Sequence, residues 1–173
     1  MVDILTPKAD HEVLHPEVLY GILRQKDVEY KWFVLSRPKP ILSIDGTVRT
    51  YVDSAAENKN SLREFITSDY VLWLDSDVVL TSDYDLHDLK DALDKNPEID
   101  GFALDTKNID VVERIEKGRH LVCACLIVRA KAAKETQWCA RDMNNNPRCD
   151  CISYNNALKL KYLDNRKLRE VER

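Results

Sequence analysis

Glycine and proline are scarce, four and six among 173 residues, which excludes collagen-like and low-complexity architectures and leaves a globular composition, 44% apolar and 32% charged. An excess of positive charge is also missing: 26 Lys and Arg stand against 30 Asp and Glu, a formal net charge of −4. Nucleic-acid binding draws its affinity mainly from Lys and Arg at phosphates, so this balance points to a small ligand and no nucleic-acid partner. No apolar run approaches the roughly 20 residues that cross a bilayer, so no transmembrane segment is expected, and Met1-Val2-Asp3 lacks the basic and apolar stretches of a secretory leader. The expectation is a soluble protein of the cytoplasm. An even cysteine set is absent too: Cys123, Cys125, Cys139, Cys149 and Cys151 leave one unpaired, which reads as reduced thiols rather than a secreted disulfide framework. Cys139, Cys149 and Cys151 form only a partial zinc set, because no second Cys-x-x-Cys or paired histidine completes four ligands.

Short apolar runs alternate with longer amphipathic stretches, the pattern of βαβ units on a mostly parallel sheet flanked by helices. Residues 1–173 are read as one α/β domain, with 164–173 a charged tail, a solvated helix end or frayed terminus. Val2-Leu5 predicts a first strand stopped by Thr6-Pro7, and His15 to Gln25 a helix with Pro16 near its start and Val18, Leu19, Ile22 and Leu23 as its apolar positions. Tyr30-Leu35 predicts a second strand ended by Ser36-Arg37-Pro38-Lys39-Pro40, and short strands are expected around Asp45-Gly46. A helix beginning near Asp53 closes over Ser61-Ile66, after which Tyr70-Leu74 is a continuous apolar strand of the kind buried at the centre of a sheet. Asp85 is the expected N-cap of a helix through Asp94, Gly101-Leu104 and Leu121-Val128 are further buried strands, and a helix follows Asp150.

Ligands of open α/β sheets bind beyond the carboxyl ends of the strands, and Asp75-Ser76-Asp77 stands there. Two carboxylates one residue apart offer the oxygen ligands that Mg²⁺ or Mn²⁺ prefer. An isolated Asp-x-Asp usually marks a solvated turn, but this pair is bracketed by Tyr70-Leu74 and Val78-Val79-Leu80, where uncompensated carboxylates are costly. A cation or a strongly polar partner removes that cost. Asp150, at a helix start after Asn144-Asn145-Asn146-Pro147, is a second candidate, although an N-cap role alone would account for it.

The segment Ser68-Asp69-Tyr70-Val71-Leu72-Trp73-Leu74-Asp75-Ser76-Asp77-Val78 resembles the donor-site strand of GT-A glycosyltransferases. It is most similar to fungal α-mannan polymerase-type mannosyltransferases, whose opening strand resembles Ile4-Leu5-Thr6-Pro7 and whose basic-Asn pair before the metal strand is matched by Lys59-Asn60. The compact size is also similar to GT-A proteins of archaeal viruses, which would put the protein in the host cytoplasm. The resemblance implies a single-domain GT-A (Rossmann-like) fold and transfer of a sugar from a UDP- or GDP-sugar to a glycan or protein acceptor. It implies Mn²⁺ or Mg²⁺ at Asp75 and Asp77, and the donor over Thr6, Pro7, Arg37, Lys59, Asn60 and Ser76. It further implies that Asp150 is the base that takes the acceptor proton in an inverting reaction.

Three features depart from or compete with that pattern. Many GT-A enzymes have a late third metal ligand, often His, and no histidine follows His120. His120 itself precedes an apolar strand and reads as a half-buried strand-edge residue. Ser43-Ile44-Asp45-Gly46-Thr47-Val48 resembles a haloacid-dehalogenase signature, but Ser43 replaces the nucleophilic aspartate, so no aspartyl-phosphate can form. A sugar-phosphate nucleotidyltransferase is the alternative enzyme, opposed by the glycine-free Pro7-Lys8-Ala9-Asp10. A non-catalytic nucleotide-sugar-binding module is the alternative outside enzymology.

Overall fold

The computed structural model describes residues 1–9, 13–37, 51–106, 124–141, 144 and 151–170. Its elements are β1 (Val2–Ala9), α1 (Pro16–Leu23), β2 (Tyr30–Arg37), α2 (Tyr51–Leu62) with a 3₁₀ turn at Arg63–Phe65, β3 (Tyr70–Leu74) and β4 (Val78–Val79). There follow α3 (Asp85–Asp94), β5 (Gly101–Thr106), β6 (Cys125–Arg129), α4 (Ala130–Glu135), α5 (Cys151–Ala157) and β7 (Leu160–Glu170). The strands form one sheet in the order β2-β1-β3-β6-β5-β7-β4. β1 is parallel to β2 and to β3, and β5 to β7, while β6 runs antiparallel to both β3 and β5.

β3 reads as unbroken apolar sequence because both of its faces are covered. Leu72 and Leu74 face a core built with Val18 and Ile22 of α1 and Leu86, Leu89 and Leu93 of α3. Val71 and Trp73 face a second core with Ala56 and Leu62 of α2, Ala130 and Ala133 of α4, and Tyr154 of α5. The central position expected for this strand is the observed one, between β1 and β6.

α1 starts as expected, with Pro16 in its first turn and the His15 ring accepting the Glu17 N–H at 3.2 Å. Of its four apolar positions only Val18 and Ile22 are buried; Leu19 and Leu23 are exposed. The inward surface is completed by Gly21, where a Cβ would stand 2.7 Å from the Leu80 carbonyl oxygen. The helix therefore lies closer to the chain after β4 than a leucine stripe would permit.

Four local expectations are corrected. β1 and β2 continue through Pro7 and Arg37 instead of stopping at Leu5 and Leu35. β1 pairs with β3 only over Val2–Leu5, so among the described residues Pro7 has a strand partner on one side alone, and its missing N–H forfeits no ladder bond to β3. The N-cap of α3 is Tyr84, not Asp85, whose buried carboxylate accepts the Ser82 N–H at 2.8 Å. Gln25 serves this helix start instead, its Oε1 accepting the Leu86 N–H at 2.9 Å while its Nε2 donates to Gly21 and Ser82 carbonyls. Residues 160–170, read in part as a charged tail, are strand along β5. The segments around Asp45-Gly46 and His120 lie outside the described residues. No described helix is long and apolar enough to cross a membrane.

Asp3, fully buried on β1, accepts the Thr67 and Ser68 N–H groups at 2.5 and 2.7 Å and the Ser68 hydroxyl at 2.8 Å. It ties the turn that launches β3. Asp3→Ala strands those donors and is expected to lower stability by about 2–4 kcal/mol, read as a fall in the urea midpoint at constant m-value. A midpoint within experimental error of wild type would show that water satisfies the turn equally well.

Candidate functional site

β1 and β2 outrun β3. The last β1–β3 pair is Leu5 with Trp73, whereas β1 and β2 stay paired to Ala9 and Arg37. A step is left at the carboxyl edge of the sheet, and Asp75 begins where β3 stops. Its N–H donates to the Ala124 carbonyl at 2.8 Å, and its own carbonyl accepts the Val78 N–H at 3.2 Å. These bonds close a tight turn over Asp75-Ser76-Asp77. Ser76 is buried at its centre, both aspartates are partly exposed, and Val78, Val79 and Leu80 beyond it are buried. The sequence thus brings two carboxylates to a rigid strand end between apolar segments, as expected.

Two carboxylates on a turn form a hard, all-oxygen donor set. Among the described residues no group of three or more His, Cys, Asp or Glu side chains gathers to hold a metal ion. The pair therefore suits an ion that takes one or two protein carboxylates and fills its other positions with water and ligand phosphates, the usual habit of Mg²⁺. Cys125, paired with Leu74 across β3 and β6, is fully buried. Burial first, and then the charges of Asp85 and Asp75, push its thiol well above the ordinary cysteine range, so it stays protonated. Cys125, Cys139 and Cys151 are free thiols.

α2 lies along β1 and β2 and contributes three consecutive polar residues. Asn58 is buried and its Nδ2 donates to the Lys8 carbonyl on the β1 extension at 3.1 Å, while its Oδ1 has no partner among the described residues. Lys59 is 4% exposed, and its Nζ stands 4.2 Å from the ring centroid of Trp138. Asn60 donates to the Trp138 carbonyl at 2.8 Å and accepts the Trp138 N–H at 2.9 Å. Trp138 in turn stacks on Tyr154, centroids 3.7 Å apart, and meets Trp73 edge-on at 5.4 Å. Trp73 lies on β3 two residues before Asp75, so the Lys59 cluster and the aspartate turn share the strand that leads into the turn.

The remaining expected positions are less gathered. Thr6 and Pro7 are strand residues rather than loop residues, and the buried Thr6 hydroxyl oxygen accepts the Trp32 Nε1–H at 3.0 Å. The backbone of Arg37 pairs with Ala9, and its side chain is outside the description. Asp150 lies outside the described residues and directly precedes α5 in the chain. Sequence reasoning missed Asn58, Trp32 and Trp138. Asn58 adjoins the Lys59-Asn60 pair, but the bonds to Trp138 span 78 residues and leave no local signal.

With this geometry in view, the chain proves similar in structure to several solved proteins. One is S. aureus TarS 1-349 in complex with UDP-GlcNAc, at TM-score 0.67 and 12% identity over 99% of this chain and 58% of that one. A second is the mannosyltransferase PcManGT from Pyrobaculum calidifontis in complex with GDP-Man and Mn²⁺, at TM-score 0.67 and 11% identity over 98% and 56%. A third is A197 from STIV, at TM-score 0.56 and 11% identity over 98% and 86%. The chain spans 36% of the full TarS chain and 60% of its 1-349 form. No protein-family model matches the sequence, and no curated protein matches it. The fold is that of the GT-A glycosyltransferases, Rossmann-like and mixed α/β.

Proposed function

We propose that this protein is a glycosyltransferase that moves a sugar from a UDP- or GDP-sugar to a hydroxyl of a glycan or protein acceptor, with Mn²⁺ or Mg²⁺ held by Asp75 and Asp77. The observation that carries the reading is the Asp75-Ser76-Asp77 turn at the carboxyl end of the central strand of a GT-A fold. Structural neighbours of this fold are described with UDP-GlcNAc, and with GDP-Man and Mn²⁺.

A divalent ion at the two aspartates supplies charge neutralisation for the departing diphosphate. The nucleotide rests on the step formed by the β1 and β2 extensions, reached by Thr6, Pro7 and Arg37, with Ser76 in the turn beneath the diphosphate. Lys59 presents its ammonium to the phosphates, and Asn60 holds that part of α2 to residue 138. The acceptor hydroxyl attacks the anomeric carbon, Asp150 takes its proton, and the bond to the nucleoside diphosphate breaks with inversion. Support for Asp150 comes from α5, which it precedes in the chain and whose Tyr154 stacks on Trp138 beside Lys59. Near-normal transfer by Asp150→Asn, beside loss in Asp77→Ala, would remove Asp150 as the base and favour a retaining mechanism.

The donor site is tested by calorimetric titration with UDP- and GDP-sugars, with and without Mn²⁺. Metal-dependent binding is expected in wild type, and its loss in Asp75→Ala/Asp77→Ala. Well-folded wild type that binds no nucleotide-sugar would end the glycosyltransferase reading. Binding without turnover on any acceptor would make the chain a donor-binding module.

A further inference from the structure

We propose that the outer edge of β2 is a self-association surface: two copies of this chain pair their β2 strands antiparallel about a two-fold axis at Phe33, joining their sheets into one. β2 ends the sheet and, among the described residues, pairs with β1 alone. Val2, set opposite Tyr30 in the parallel register, donates its N–H to the Glu29 carbonyl at 2.9 Å. Successive residues of a strand turn their backbone groups to alternate sides. Lys31, Phe33 and Leu35 therefore bond to β1, and the N–H and C=O groups of Tyr30, Trp32, Val34 and Ser36 face outward. Natural sheets guard such an edge with proline, a bulge or an outward charge. Tyr30 to Ser36 contains no proline, its register against β1 is unbroken, and its one charged residue, Lys31, donates to the Thr67 hydroxyl at 2.9 Å.

The strand is complementary to itself in one register. An antiparallel partner exchanges two hydrogen bonds at each pair of outward-facing residues. An axis at Phe33 pairs Tyr30 with Ser36 and Trp32 with Val34, and moving it by one residue either way leaves one of the four without a partner inside Tyr30 to Ser36. The same register sets the two Phe33 residues opposite each other, at the close spacing of a non-hydrogen-bonded pair. Each Phe33 ring lies 5.3 Å from that of Phe65, which is 44% exposed, so pairing extends an aromatic row over apolar surface now in water. On the opposite face Val34, 42% exposed, meets Trp32 of the other copy. No like charges oppose one another: Lys31 stands opposite Leu35 and, by position in the chain, Glu29 opposite Arg37, acid against base. A second copy of the chain is therefore the partner this edge fits. Pairing at Ser36 also braces the stretch of β2 that outruns β3.

One strand pair is a small interface, so the dimer is expected to dissociate on dilution, with a dissociation constant of about 10–100 μM. Sedimentation equilibrium of the full chain, from well below to well above that range, is expected to show monomer passing to dimer. Amide hydrogen exchange identifies the surface: the Trp32 and Val34 amides are expected to slow as concentration rises, while those of Phe33 and Leu35, bonded to β1, stay protected throughout. Val34→Pro removes an N–H that faces away from β1, and is expected to weaken association by about tenfold to a hundredfold while the monomer keeps its melting temperature. If the proline variant does not fold, Val34→Lys, a charge on the edge, is expected to weaken association to a similar degree. A chain that stays monomeric at every concentration overturns the proposal, as does a dimer that neither substitution weakens, which would be built on another surface. A monomer whose Trp32 and Val34 amides are protected at every concentration would cover its own edge, and overturns it equally. Every arm is read without donor or metal, so none of these outcomes bears on the glycosyltransferase reading.

Discussion

Asp77→Ala is expected to lower sugar transfer by about 10³-fold at saturating acceptor while shifting the melting temperature of the ligand-free protein by less than about 4 °C. The two effects separate because the turn is closed by backbone bonds, from Asp75 N–H to Ala124 and from Val78 N–H to Asp75, and alanine retains both. Asp77→Asn sharpens the contrast. It preserves the shape of the side chain and removes the charge that would hold the ion. The wild type, by contrast, should gain about 2.7 kcal/mol when Mn²⁺ and donor are present at a hundredfold excess over their dissociation constant, and Asp77→Asn should lose that gain. A marked loss of stability in the ligand-free variants, with no loss of ligand-induced stabilisation, would instead mean that the carboxylates serve the turn.

That turn was readable in the sequence for a physical reason. A strand covered on both faces shows no alternation, so Tyr70-Leu74 ends abruptly at the first charge, and that charge marks the edge of the sheet. α1 was readable for its start, because Pro16 fixes the first turn, but not for its inward face, because the residue closest to the neighbouring chain is a glycine and carries no hydrophobic signal. β7 was hidden by its own register. Leu163 pairs with Leu104 and Lys167 with Asp105, so residues 164–166 drop out of the ladder and the alternation that would mark a strand is interrupted. What remained looked like a solvated helix end.

The site was legible only where its residues are neighbours in the chain. Asp75-Ser76-Asp77 and Lys59-Asn60 each occupy one short segment, and their types suggested oxygen ligation and anion contact. The stretch Thr136-Gln137-Trp138-Cys139 has no period and no motif, and Trp138 gains its place through Asn60, Tyr154 and Trp73, on three different elements. A single sequence carries no record of such pairings. The same limit concealed the step at the edge of the sheet, which depends on β1 and β2 extending past the end of β3 and hence on their mutual register.

Gly101→Ala is the sharpest test of that sheet, because the sign of its effect is in question. Alanine in a strand ordinarily stabilises relative to glycine by about 0.4–1 kcal/mol, since the unfolded chain has less freedom to lose. At position 101 a Cβ would meet the Ile127 carbonyl oxygen at 2.4 Å, the Val128 Cγ1 at 2.5 Å and the Leu160 Cδ2 at 3.1 Å. Gly101 lies between β6 and β7, paired with Val128 on one side and Leu160 on the other, and the closest atom belongs to backbone, which cannot rotate away. A loss of about 3 kcal/mol is therefore expected, a fall of about 6–12 °C in melting temperature. Val128→Ala in the same chain should recover part of it, with the double variant less destabilised than the sum of the singles, because it removes one of the three obstructions. Stabilisation by Gly101→Ala would mean that β5 does not sit against β6 in this register. The consequence would reach the site, since β6 also pairs with β3, and Ala124 just before it holds the Asp75 N–H.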